Sequence, residues 1–81
     1  MTRETIAEEI LSQVTRRGVG KTICPSEVAK ALSPDDWRGL MESVRSVAFE
    51  LSTKNGIAIT QKGEVVGDGA LKGPIRVGLP D

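Results

Sequence analysis

The spacing of apolar residues changes from a helical period to a period of two near residue 56, and this change constrains the fold more than any other feature. Before it, apolar side chains recur every three or four residues in three separate stretches. After it, they alternate with other residues. The chain of 81 residues is therefore predicted to form three helices followed by β-structure, in one domain with one core.

The third helix is the most strongly marked element. Ser33 is predicted as its N-cap and Pro34 as its first residue, with Asp35 and Asp36 adding the negative charge that helix N-termini favour. Its apolar stripe consists of Trp37, Leu40, Met41, Val44, Val47, Ala48 and Leu51. Asn55 or Gly56 can adopt the positive φ that ends a helix, so this helix is predicted over residues 34–53.

Two shorter helices are predicted upstream. The first covers residues 3–17, with Gly18 as its C-terminal cap. Its apolar residues are Ile6, Ala7, Ile10, Leu11 and Val14. The second covers residues 25–32 and begins at Pro25, with Val28, Ala31 and Leu32 on its buried side. The segment 21–23 between them is predicted to be extended.

The C-terminal part has the alternation of a β-hairpin. Ile57 and Ile59 mark one strand, and Ile75, Val77 and Leu79 mark one face of another. The pattern leaves open whether residues 64–66 extend the first strand or form a strand of their own. The glycine-rich residues 67–69 are predicted to form a loop.

The order of elements predicts an α+β fold of the winged-helix type. The second and third helices, joined at Ser33 and Pro34, have the layout of a helix-turn-helix. The hairpin over residues 57–79 would be the wing.

The sequence GVGKT at residues 18–22 resembles the end of a phosphate-binding loop. That loop needs a glycine five residues before Gly20, where Thr15 stands, and a strand ahead of it, where the first helix lies. Gly18 is therefore interpreted as a helix cap and Lys21 as a solvated side chain. No nucleotide binding is expected.

Composition argues against several classes of function. The chain has no histidine, so the usual catalytic base is missing. Its one cysteine, Cys24, cannot form an internal disulfide and cannot build a metal site alone. Cys24 is interpreted as a structural residue at a helix start. No segment approaches the roughly 20 apolar residues of a membrane span, and the first residues, MTRETIAEEI, lack the apolar core of a signal peptide. The expectation is a cytoplasmic, non-enzymatic protein with no cofactor, metal or membrane partner.

Four phrases of the sequence resemble an uncharacterised bacterial family. They are CPSEVAKAL (24–32), WRGLMESVRSVAFEL (37–51), ITQKGEVV (59–66) and KGPIRVGLP (72–80). Together they resemble the domain of unknown function 3253 family, over nearly the whole chain from about Thr5. The resemblance implies a bacterial, winged-helix-like protein, and it implies no activity or site residue.

The outer side of the third helix is the candidate nucleic-acid surface. Arg38, Arg45 and Ser46 would face the major groove, where arginine pairs with guanine. Lys62, Lys72 and Arg76 of the wing would contact phosphates. Against this interpretation, Arg38, Glu42 and Arg45 have the spacing of a salt-bridged solvated face.

Further charges oppose nucleic-acid binding. Asp35 and Asp36 place negative charge at the helix end that usually enters the groove. The formal net charge is zero, with 11 basic and 11 acidic side chains. A second interpretation therefore stays open: a protein-interaction module that uses the third helix or the wing.

Two aromatic residues bear on this choice. Trp37 lies on the core side of the stripe. Phe49 lies on the polar side, where it would be covered by a neighbouring segment such as the wing, with a partner contact or base stacking as the alternative.

Overall fold

The computed structural model describes residues 2–54, 56–61, 63–66 and 73–80. In this part of the chain the elements are helices α1 (Arg3–Arg17), α2 (Pro25–Leu32) and α3 (Trp37–Thr53), and strands β1 (Thr22–Ile23), β2 (Ala58–Gln61), β3 (Glu64–Val66) and β4 (Arg76–Gly78). The predicted α+β class is confirmed.

Both ends of α1 are capped by local hydrogen bonds. At the start, the backbone N–H of Thr5 donates to Oγ1 of Thr2 over 3.1 Å. At the end, the N–H of Gly18 donates to the carbonyl of Val14 over 3.0 Å, with Gly18 at a φ of 93° that side chains disfavour. The helix buries Ile6, Ile10 and Val14, whereas Leu11, predicted on the same stripe, is exposed.

The buried stripe predicted for α2 is confirmed at Val28 and Leu32 and is wrong at one position. Ala31 is exposed, and Ala29 is fully buried instead. The reason is the position of Pro25, which is itself buried and starts the buried stripe. A stripe that begins at Pro25 continues at positions 28, 29 and 32 by helical geometry, and position 31 falls outside it.

Helix α3 begins at Trp37, so the prediction of a start at Pro34 with Ser33 as N-cap is wrong. Ser33 is used to end α2, because its N–H donates to the carbonyl of Ala29 over 2.9 Å. The carbonyl of Ser33 then accepts from the N–H of Asp36 over 3.2 Å, which closes a turn over residues 33–36. Asp36 occupies the N-cap position of α3.

The sheet has the strand order β1-β4-β2-β3, and all its pairs are antiparallel. Residues 64–66, which the sequence left ambiguous, form a separate strand that pairs Glu64 with Gln61. Val77 lies opposite both Ile59 and Ile23, so these three side chains share one face. All three are buried, which identifies this face as the one toward the helices.

The other face of the sheet carries Arg76, Thr60 and Thr22. On this side, Gly78 allows β1 and β4 to approach closely. A Cβ atom at Gly78 would come within 2.8 Å of the carbonyl oxygen of Lys21. Only glycine fits without moving the backbone of one strand.

The core lies between the three helices and the inner face of the sheet. Helix α3 packs against both α1 and α2 and supplies Val44, Val47, Ala48 and Phe49 to the core. The arrangement, with α2 and α3 joined by a short turn and strands following α3, is compatible with a winged helix. Among the described residues, no helix is long and apolar enough to cross a membrane.

Candidate nucleic-acid interface

The side of α3 that carries Arg38 and Arg45 lines an open groove of about 650 Å³. We call this surface the α3 face, and it consists of Arg38, Met41, Glu42, Arg45, Ser46 and Phe49. The helical spacing of 38, 42, 45 and 46 brings the three residues predicted for groove contact, Arg38, Arg45 and Ser46, onto this one surface.

Arg38 is exposed in the first turn of α3 and is positioned by an aromatic ring. Its guanidinium carbon lies 4.5 Å from the centroid of the Trp37 ring, and Nζ of Lys30 lies 4.6 Å from the same centroid. Such cation–π contacts hold a cation over a ring without neutralising its charge. Trp37, predicted on the core side, packs against the core, and its ring contacts both Lys30 and Arg38.

Arg45 is half-buried and connects α3 to the segment before β4. Its Nη1 donates a hydrogen bond to the carbonyl oxygen of Gly73 over 3.0 Å. This contact holds the side chain between α3 and the part of the predicted wing that precedes β4. Arg45 therefore contributes to the position of that segment as well as to the charge of the α3 face.

Ser46 has a partner that the sequence did not reveal. Nη1 of Arg3, in the first turn of α1, donates to Oγ of Ser46 over 3.3 Å. Another nitrogen of Arg3 bonds Glu50, and this hydrogen bond and charge lower the pKa of the Glu50 carboxyl. Arg3 thereby lies beside the α3 face, where only the packing of α1 on α3 could place it.

Arg76 is separated from these residues. Its Nε donates to Oγ1 of Thr22 over 3.0 Å, and its Nη2 donates to the carbonyl of Thr22 over 3.2 Å. Arg76 is on the outer face of the sheet, and α3 packs on the inner face. The structure thus does not bring Arg76 together with Arg38 and Arg45.

The remaining predicted contacts, Lys62 and Lys72, lie outside the described residues, as do Asn55 and the loop 67–69.

Phe49 is buried, with 8% of its surface exposed, and its edge lines the groove of the α3 face. Its burial agrees with the prediction that a neighbouring segment covers it.

Acidic groups stand next to Arg38. Asp35 and Asp36 are both exposed immediately before α3. The Asp36 carboxylate folds back over Gly39, where an added Cβ would come within 3.0 Å of Oδ2. The end of α3 that carries Arg38 therefore presents charges of both signs.

Fold and site together define a small α+β protein whose α2–α3 pair exposes one charged helix face. The chain belongs to a family described as protein of unknown function (DUF3253), whose model matches residues 3–80. The family predicted from the four sequence phrases is thereby confirmed. No curated protein matches the chain.

Proposed function

We propose that this protein binds duplex DNA, with the α3 face in the major groove, and that it acts in a transcription-associated role in the bacterial cytoplasm. In helix-turn-helix proteins the second helix of the pair enters the groove, and its N-terminal residues contact base edges. Helix α3 occupies that position in the α2–α3 pair.

Arg38 is the observation that carries the proposal. It is the second residue of α3, and it is exposed. No carboxylate in the described part of the chain forms an ion pair with it. The contact with the Trp37 ring restrains the guanidinium without satisfying its donors, which leaves the planar fork for a guanine edge.

The other basic residues of the site would contact phosphate. Arg45 lies on the same face, and Lys62 and Lys72 are predicted for the wing that follows. Arg76 is left out of this site because it lies on the outer face of the sheet, away from the α3 face. With two or three phosphate contacts, the plot of log affinity against log salt concentration should have a slope of roughly −2 to −3.

The proposal is tested by selecting preferred duplexes from a random library and comparing variants on them. Arg38→Ala should weaken the selected duplex about 5- to 150-fold, since a lost bidentate base contact costs about 1–3 kcal/mol. Its effect on random duplex should be much smaller. Arg38→Lys keeps the charge but not the fork, and it should still lose the preference.

A charge-matched control is Lys54→Ala at the other end of α3. It also removes one positive charge, and it should leave sequence preference unchanged. If Arg38→Ala weakens selected and random duplex equally, Arg38 does not read bases and the proposed orientation of α3 is wrong.

A second candidate function uses the same groove for a protein segment. Met41 and the edge of Phe49 provide an apolar strip between Arg38 and Arg45. An acidic amphipathic helix would suit this arrangement, because its apolar side chains could cover Met41 while its carboxylates met the arginines. Peptides of this kind, selected by display, should lose binding to Met41→Asp and keep binding to Lys54→Ala.

A further inference from the structure

A second concentration of positive charge lies where α1, β1 and α2 meet. An open groove of about 540 Å³ there is lined by Glu9, Gln13, Arg16, Arg17, Lys21, Glu27 and Ala31. Arg76 adjoins it, because Arg76 and Arg17 both donate to the carbonyl of Thr22. We call Arg16, Arg17, Lys21 and Arg76 the basic corner.

The two carboxylates of this region are already engaged. Oε1 of Glu27 accepts from Nη2 of Arg17 over 2.7 Å, and Oε2 accepts from the backbone N–H of Cys24 over 2.7 Å. Oε2 of Glu9 accepts from Gln13 over 2.8 Å and lies 3.7 Å from Arg16. Both acids therefore have partners inside the corner.

Lys21 and Arg76 keep their charge outside any such pair. Within the described part of the chain, Lys21 is exposed and forms no ion pair. Arg76 bonds only neutral oxygens of Thr22 in the contacts given above. The corner has four positive side chains, and its two carboxylates offset two of these charges. Its surface is therefore net positive, on a chain whose formal net charge is zero.

The shape of the corner favours an extended anion over a small one. Its cations come from the end of α1, the start of β1 and the strand β4, and they are spread across an open groove. A site for one small anion would require buried donors converging on one point, and no buried side-chain polar atom among the described residues lacks a partner. A row of phosphates matches a spread row of cations.

We infer that the basic corner binds the phosphate backbone of duplex DNA, independently of base sequence and separately from the α3 face. Arg3, beside the α3 face, and Arg17, in the corner, lie at opposite ends of α1, about 20 Å apart along the helix axis. The corner therefore provides a second contact region for nucleic acid. This inference also gives Lys21 of the sequence GVGKT a role with phosphate that requires no nucleotide-binding loop.

The test measures the affinity of the full chain for a short random-sequence duplex at several salt concentrations. Arg16→Ala and Lys21→Ala should each weaken binding at low salt and flatten the log–log salt slope by about one unit. Thermal unfolding of each variant checks that the fold is kept.

Lys54→Ala is a closely matched control for Arg16→Ala. Both side chains are 70% exposed, and both lie 3.7 Å from a glutamate. The control should leave the slope unchanged. If Arg16→Ala and Lys21→Ala give the same slope as Lys54→Ala, the basic corner does not bind DNA.

Adding Arg38→Ala separates this inference from the proposed function. Loss of sequence preference in Arg38→Ala with unchanged slopes in the corner variants supports the α3 face and overturns the corner. The reverse result supports the corner and overturns base reading by Arg38. A wild-type protein that binds no duplex at low salt overturns both.

Discussion

The basic corner and the α3 face both present arginines to solvent, but the two regions hold them differently. In the corner, Arg17 donates to the carboxylate of Glu27 and to the carbonyl oxygen of Thr22 in β1. Arg76 donates to the side-chain and carbonyl oxygens of the same Thr22. On the α3 face, Arg38 rests on an aromatic ring. The corner is therefore a structural junction with surplus charge, whereas Arg38 keeps its donors for a ligand.

This difference shows that the type of a basic residue does not determine its role. In the sequence, Arg38 was a candidate for contact with the major groove and Arg76 a candidate for contact with phosphate. In the structure, Arg76 donates two hydrogen bonds to Thr22 of β1, whereas Arg38 has no hydrogen bond of this kind among the described residues. Substitutions of Arg17 and Arg76 should consequently lower stability, and substitutions of Arg38 should change binding.

The largest difference in stability is expected between alanine substitutions at two glycines. In Gly78→Ala the new Cβ would meet the backbone oxygen of Lys21 at 2.8 Å, so β1 and β4 must separate and the free energy of unfolding should fall by about 2–4 kcal/mol. In Gly39→Ala the Cβ meets only the movable carboxylate of Asp36, and alanine favours the helix. That variant should be neutral or more stable by up to about 1 kcal/mol.

Urea unfolding of the two variants checks this pair. Equal stabilities would mean that β1 and β4 can separate at little cost, and the corner would not be a rigid junction.

The next largest difference in stability is expected between alanine substitutions of Glu27 and Glu42. Glu27→Ala removes the acceptor for Cys24 N–H at the start of α2 and the partner of Arg17, so it should cost about 1–2 kcal/mol. Glu42→Ala, on the exposed α3 face, should change stability by less than about 0.5 kcal/mol. Thermal or urea unfolding at neutral pH provides the comparison.

The effect of Glu27 should depend on pH. The hydrogen bond from Cys24 N–H and the charge of Arg17 lower the pKa of the Glu27 carboxyl below its ordinary value of 4.5, although partial burial opposes this. Because the folded-state pKa is depressed, the contribution is present above the ordinary value and is lost as the pH falls through the folded-state pKa. The stability difference between wild type and Glu27→Ala should therefore shrink below pH 4.5. A difference that stays constant into strong acid would contradict an ionic role for Glu27.

A smaller difference in stability is expected between lysine substitutions of Arg76 and Arg38. Arg76→Lys cannot reproduce both bonds to Thr22, so it should lose about 0.5–1.5 kcal/mol of stability. Arg38→Lys should leave the unfolding midpoint nearly unchanged and alter only DNA preference. Should Arg38→Lys prove the more destabilising of the two, the assignment of structural and binding roles would have to be exchanged.

Much of the fold could be predicted from the sequence because its elements are locally encoded. Apolar spacing and the caps at Gly18 and Pro25 gave bounds of 3–17 and 25–32 for the first two helices, and α1 and α2 have these bounds. The alternation of apolar residues predicted a hairpin between the strand at Ile59 and the strand at Val77, and these two residues are paired in the sheet. The start of α3 was missed because Ser33, a residue suited to begin a helix, is used to end the preceding one.

The candidate site was less predictable because its contacts join distant parts of the chain. Helical spacing placed Arg38, Arg45 and Ser46 on one surface, as local geometry can. It could not show that Arg3 bonds Ser46, that Arg76 bonds Thr22, or that Gly73 receives Arg45. Each of these contacts depends on how helices and strands pack, which the periodicity of one element does not contain.

The most direct test of the proposed function is the affinity of the unmodified protein for random duplex DNA, measured by fluorescence anisotropy across a salt series. Binding at low salt that weakens with a log–log slope of roughly −2 or steeper is expected if arginines and lysines of the molecule meet phosphate. Failure to bind at low salt and high micromolar protein would contradict the proposal and leave the groove of the α3 face as a site for a protein segment.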